Sequence, residues 1–85
     1  MPVEITRSSK RSRATEISID WKAVGRRIRE LRGFDMTQGE LARHIGVSQG
    51  YFSHIERGEK EIGAVVLLKI GRAFNKSIEW LLTGE

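Results

Sequence analysis

Two hydroxyl–glutamine pairs, Thr37-Gln38 and Ser48-Gln49, flank Gly46-Val47 near the middle of the chain, and they constrain it more than any other feature. Thr37 is a good helix N-cap. Glu40, three residues on, completes a capping box in which each residue's side chain satisfies the other's free backbone N–H. Leu41, Ala42 and Ile45 then recur at helical spacing. Gly46 stands where the helix needs a left-handed residue to stop. Val47 is placed to plug the gap before a second helix, which Ser48 caps. Phe52 and Ile55 give that helix an apolar stripe, leaving Gln49, Gly50, Tyr51, Ser53 and His54 on its first turns and outer side. The pattern predicts two short helices joined by a tight turn.

The remainder supplies packing partners for this pair. From the capping Asp20, residues Trp21, Val24, Ile28 and Leu31 fall on one helical face, while Lys22, Arg26, Arg27 and Arg29 lie off it. Gly33 ends this helix, and Phe34-Asp35-Met36 reads as a short connection with Phe34 and Met36 turned inward. Beyond the charged loop Glu59-Lys60-Glu61, a helix from about Gly63 to Phe74 carries Val65, Val66, Leu67, Leu68, Ile70, Ala73 and Phe74. It reads as apolar nearly all round, the pattern of a central helix. Gly71 inside it costs roughly 1 kcal/mol of helix propensity, which implies close approach to a neighbouring helix. Asn75 suits a left-handed end, and Ser77 caps a final short helix, Ile78 to Leu82, closed by Thr83-Gly84.

The expected fold is therefore all-α, a compact five-helix domain over residues 17–85. Residues 1–16 differ in character. The run Arg7-Ser8-Ser9-Lys10-Arg11-Ser12-Arg13 has no apolar face and reads as a mobile basic arm, either a solvated tail or a strap along phosphates. The alternations Val3-Glu4-Ile5-Thr6 and Glu16-Ile17-Ser18-Ile19 are each compatible with a short strand.

Composition excludes several classes of function. Eighty-five residues form one small core with little room for an enclosed catalytic pocket. Cysteine is absent, which removes disulfides and thiolate zinc sites. His44 and His54 have no companion carboxylate or cysteine cluster, so no metal ligation is expected. No nucleophile elbow or phosphate-binding glycine loop is present, so neither an enzyme nor a cofactor is expected. No apolar run is long enough to span a bilayer and no secretory leader opens the chain, so no membrane association and a cytoplasmic location are expected. The net charge of +4, from 15 Lys+Arg against 11 Asp+Glu, suits a polyanionic partner.

A helix-turn-helix of the kind described places its second helix in the DNA major groove. The chain from about residue 20 to 84 resembles the Cro and phage-repressor type of helix-turn-helix domain, the XRE family. The resemblance rests on Ile28-Arg29-Glu30-Leu31-Arg32, Thr37-Gln38, Glu40-Leu41-Ala42 and Gly46-Val47-Ser48. Ser53, Ile55-Glu56-Arg57-Gly58, Leu67, Ile70 and Trp80-Leu81-Leu82-Thr83-Gly84 continue it. It implies a sequence-specific, DNA-binding transcription regulator, a repressor acting on double-stranded operator DNA.

By the same resemblance Gln49 is the first base-reading residue, with a bidentate amide suited to an adenine edge. Gly50, Tyr51 and His54 match the other base-facing positions, and Ser53 shares their face. Tyr51 has alternatives: a thymine methyl or the sugar backbone for its ring, a phosphate for its hydroxyl, or sideways packing on the preceding helix. Gln38 matches a residue that grips phosphate and braces the first reading residue. Arg57 and Lys60 match phosphate contacts, and Thr37 and Ser48 complete that set at the two helix starts. Arg32 and Glu56 match a largely buried ion pair. The chain departs from the pattern in a shortened connection from Arg32 to Thr37, in Ile62-Gly63 where Pro-Ser is common, and in Gly50, which offers no side chain.

One recognition helix touches only about 4–5 base pairs, so a homodimer on a palindromic operator is expected. The last helix, with Ile78, Trp80, Leu81 and Leu82, holds more apolar surface than one side of so short an element buries. Ile78, Trp80 and Leu81 are the expected dimer interface. Trp21 and Trp80 read as core or dimer packing. The alternative is a module of the same fold that binds a protein partner, as an antitoxin does, with DNA binding serving autoregulation.

Overall fold

The computed structural model describes residues 16–85; the basic run Arg7–Arg13 and the alternation Val3–Thr6 lie outside the described residues. Five helices follow one another among them: α1 Trp21–Arg32, α2 Gln38–Ile45, α3 Gln49–Glu56, α4 Ala64–Phe74 and α5 Ile78–Thr83. The segment Glu16–Asp20 is not a strand. Ile17 is exposed, whereas Ile19 packs against the core from the coil before α1.

Each predicted cap on a polar residue forms. Asp20 accepts from the Ala23 N–H at 3.2 Å. The α2 capping box is complete, with Thr37 Oγ1 accepting from Glu40 N–H at 3.1 Å and Glu40 Oε1 accepting from Thr37 N–H at 2.8 Å. Ser48 and Ser77 cap α3 and α5. Gly63, by contrast, begins α4 with no side-chain cap, as expected of a residue lacking an acceptor.

Every helix gives to one core. Val24 and Ile28 come from α1, Leu41, Ala42 and Ile45 from α2, Phe52 and Ile55 from α3, Leu67 and Ile70 from α4, and Leu81 from α5, with Ile62 entering from the loop. α1 packs across α3 and α5, α2 across α3 and α4, and α4 against α5. The α1–α3 crossing is very tight at Gly25, where an added Cβ would stand 2.5 Å from the Glu56 carbonyl oxygen and 2.6 Å from that of Ile55. Any side chain there would lift α1 off the end of α3. Arg27, off the apolar face of α1, ties that helix to the opposite end of the domain by donating from Nη1 to the Leu81 carbonyl at 2.9 Å. This uses one of the carbonyls left unpaired at a helix end.

Four expectations need correction. Phe34 does not turn inward; its exposure is 108%. The chain leaves α1 at Gly33, with φ 61°, and Arg32 Nη1 donates to the Met36 carbonyl at 3.0 Å. That bond pins the Met36 end of the short connection to the core, where Met36 is half-buried, and Phe34 is left on the outside. Nor is α4 a central helix. Leu67 and Ile70 are buried, but Val65 is 65% exposed and Leu68 40%, because the neighbouring helices cover only one side of it. Leu81 is fully buried and belongs to the monomer's own core, so it cannot serve as a surface residue for a second copy. Gly71 does make a close approach, but to the turn after its own helix: an added Cβ would lie 2.5 Å from the Lys76 carbonyl oxygen.

Candidate nucleic-acid interface

The turn between α2 and α3 sets the site. Gly46 ends α2 at φ 79°, and the Val47 N–H reaches back to the Ala42 carbonyl at 2.9 Å. Val47 packs partly against the core, and the chain emerges at Ser48 ready to start α3. Phe52 and Ile55 are fully buried on the inner side of α3. The helix is thereby fixed about its axis, and Gln49 and Gly50 stand exposed at its N-terminal edge. No atom lies within 4 Å of an added Cβ on Gly50, so this position is open space through which a ligand can approach the helix backbone. Tyr51 is half-buried and packs against the core cluster. Ser53 and His54 are half-buried on the same helix.

The C-terminal end of α3 is held by a buried charge cluster. The Glu56 side chain, 3% exposed, accepts from Arg32 Nε at 2.7 Å and from Arg32 Nη2 at 2.9 Å, a bidentate pair. Its hydrogen bond holds the Arg32 guanidinium above its ordinary value. Gln38 Nε2 donates a third bond to Glu56 Oε1 at 2.8 Å. One carboxylate thus joins the end of α1, the start of α2 and the end of α3. The same bond corrects the expected bracing role of Gln38, whose amide is turned to Glu56. Gln49 leans instead on Gly39, where an added Cβ would come within 3.1 Å of Gln49 Oε1. A glycine at this place in α2 leaves room for the Gln49 side chain.

A second polar cluster covers the outer side of α3. Arg57 donates from Nη1 to Ser53 Oγ at 2.6 Å, and from Nε and Nη2 to the Glu59 carboxylate at 3.0 and 3.2 Å. His54 Nδ1 lies 2.6 Å from Glu59 Oε1 and 3.3 Å from Arg57 Nη2. The Arg57 guanidinium, aided by His54, pulls the Glu59 carboxyl down to about 2. Sequence reasoning placed Ser53, His54 and Arg57 here but passed over Glu59. Helical periodicity stops at Gly58, and it is the backbone bond from Glu59 N–H to the His54 carbonyl, 3.0 Å, that folds the carboxylate back onto the helix. The Arg57-Gly58-Glu59 order was the available signal, because a glycine after a helix commonly makes such a return.

Thr37 and Ser48, expected at phosphates, use their hydroxyls as caps, each on the exposed start of its helix, and Lys60 is exposed in the following loop. Ile78 and Trp80 are half-buried, with Lys76 Nζ 4.7 Å above the Trp80 ring. Among the described residues no group of His, Cys, Asp and Glu is arranged to hold a metal ion, and no helix is long and apolar enough to cross a membrane.

These features define a DNA-binding helix-turn-helix domain, and comparison with known proteins agrees. A family model described as helix-turn-helix matches residues 26–81, and the chain belongs to this family, of the Cro and phage-repressor type. A protein of Archaeoglobus fulgidus described as an uncharacterized HTH-type transcriptional regulator is 41% identical over 54 residues, which cover 62% of this chain and 76% of the relative. The restriction-modification controller protein C.AhdI from Aeromonas hydrophila superposes with a TM-score of 0.67 at 31% identity, over 74% of this chain and 97% of that one. The P22 c2 repressor, solved with a synthetic operator, gives a TM-score of 0.68 at 35% identity, over 73% and 96%. The protein is a transcription regulator with a helix-turn-helix DNA-binding domain, not an enzyme.

Proposed function

We propose that this regulator represses transcription by binding a two-fold-symmetric operator as a homodimer, with α3 in the major groove. Gln49, Gly50, Tyr51, Ser53 and His54 face the bases, and Thr37, Ser48, Arg57 and Lys60 face the phosphates; Gln38 joins them where its amide reaches past the Glu56 bond it makes in the free protein. The observation that carries this reading is the contrast within α3. Phe52, Ile55 and Glu56 are locked into the core while Gln49 and Gly50 stand exposed, which is how a rigid scaffold presents a reading edge. The P22 c2 repressor, similar over nearly its whole solved length, was crystallised on an operator, which supports the same use here.

A homodimer is supported by an open apolar groove lined by Ile19, Trp21, Ile62, Leu67, Ile78 and Leu82. Pairing two copies through the Ile78 and Trp80 side would set two recognition helices one DNA turn apart, about 34–36 Å. Selection of bound duplexes from a random library tests the reading. The expected product is a pair of inverted half-sites at fixed spacing; enrichment of a single unrepeated site would contradict the homodimer, and no enrichment would contradict sequence-specific binding.

A further inference from the structure

The Glu59 cluster has no structural task that explains it. His54, Arg57 and Glu59 side chains are 45%, 53% and 49% exposed, and ion pairs at that exposure contribute little to folding. They lie on the outer side and C-terminal end of α3, beside residues assigned above to bases and phosphates. There the Arg57 guanidinium is not a free cation. One edge of it, Nε and Nη2, is filled by the two Glu59 oxygens, and Nη1 gives one of its two N–H groups to Ser53. Carboxylate and phosphate take the same paired bonds from a guanidinium edge. A phosphate can therefore have the Nε–Nη2 edge of Arg57 only where Glu59 has left it.

We propose that Glu59 is a built-in phosphate surrogate: it occupies Arg57 and His54 in the free protein and is exchanged for a DNA backbone phosphate on binding. The proposal rests on the DNA-binding reading and deepens it. The exchange weakens attachment to every duplex, because a bond to Glu59 must be given up and a negative carboxylate is left beside the phosphate chain. It also keeps Arg57 pre-shaped for a bidentate acceptor and keeps Ser53 and His54 aligned on the helix. Phosphate contacts carry no sequence information, so the effect falls equally on all sequences.

The test measures binding to a random-sequence duplex across a salt series, using the full chain. Glu59→Gln removes the charge while keeping the shape, and it should tighten binding about 3- to 10-fold at moderate salt. The slope of log affinity against log salt should steepen by about 0.9, the value of one additional net phosphate neutralised. Glu61→Gln changes net charge equally in the same loop but frees no arginine, so its effect should be distinctly smaller. In an Arg57→Gln background the gain from Glu59→Gln should shrink to the size of the Glu61→Gln effect, the part due to charge alone. An unchanged or weakened affinity for Glu59→Gln overturns the proposal, as does a Glu61→Gln effect of equal size or a gain that persists undiminished without Arg57. Failure of the unaltered protein to bind any duplex at low salt would instead overturn the DNA-binding reading, and this proposal with it.

Discussion

Arg32→Ala tests the cluster that joins the three helices of the site. The side chain makes three hydrogen bonds, two to Glu56 and one to the Met36 carbonyl. Its removal leaves the Glu56 carboxylate, 3% exposed, with the Gln38 amide as its only side-chain donor among the described residues. Breaking a buried pair by deleting one partner typically costs ~3–5 kcal/mol, because the remaining charge stays desolvated. Loss of the Met36 bond adds about 1 kcal/mol. Domains of this size have roughly 5–15 kcal/mol in total, so the variant should lie near the edge of folding. At about 4–8 °C per kcal/mol the melting temperature should fall by at least ~12 °C. Arg26→Ala, at an exposed position on the same helix, is the reference and should stay within about 0.5 kcal/mol of the parent. Replacing both partners, Arg32→Met with Glu56→Leu, should recover much of the loss, since no charge is then left buried. Chemical denaturation of all four proteins gives the answer. Equal midpoints for Arg32→Ala and Arg26→Ala would refute the reasoning, and so would a double variant less stable than Arg32→Ala.

Three further outcomes are expected. Gln49→Ala should cost roughly 1–3 kcal/mol at one base position and spare non-specific binding; binding profiles over the four bases at each position check this, and an equal loss on all sequences would make Gln49 a phosphate contact. Ile78→Glu should abolish cooperative binding to a full operator while sparing an isolated half-site, measured by sedimentation and gel shift on both DNAs; unchanged cooperativity would put the dimer surface elsewhere. The Glu59 carboxyl is held low first by Arg57 and then by His54, so the small stability this exposed cluster adds is present above the ordinary carboxylate range and lost as the pH falls toward about 2. Its carboxyl carbon should titrate by NMR near that value and move up in Arg57→Gln; an ordinary midpoint in the parent protein would show that the cluster does not form.

Most of the fold is legible in the sequence because the chemistry that sets it is local. Thr37 with Glu40, Gly46, Ser48, Ser77 and Asn75 act through bonds to backbone no more than a few residues away, so their identity and order alone place the helix ends. The inner faces of α1, α2 and α3 are equally plain, because apolar residues at helical spacing have no other use. The family pattern brings Arg32 and Glu56 into view as well, although nothing local links two residues so far apart in sequence.

Where the outcome depends on which surfaces meet, sequence is silent or misleading. The apolar content of α4 marks it as central, yet only one of its sides finds neighbours, and Val65 and Leu68 stay exposed. Phe34 and Met36 compete for one inward place beside Arg32, and the bond from Arg32 to the Met36 carbonyl settles it. Leu81 and Ile78 look alike on a five-residue stretch that is apolar except for Glu79, but only the packing of α5 on α1 buries one and leaves the other half open. Glu59 comes to lie against His54 and Arg57 only because the chain folds back past Gly58. Helix starts and stops thus follow from residue order, since short-range hydrogen bonds and backbone sterics make those choices. Burial and charge partnership do not, since both belong to pairs of surfaces that the chain brings together only on folding.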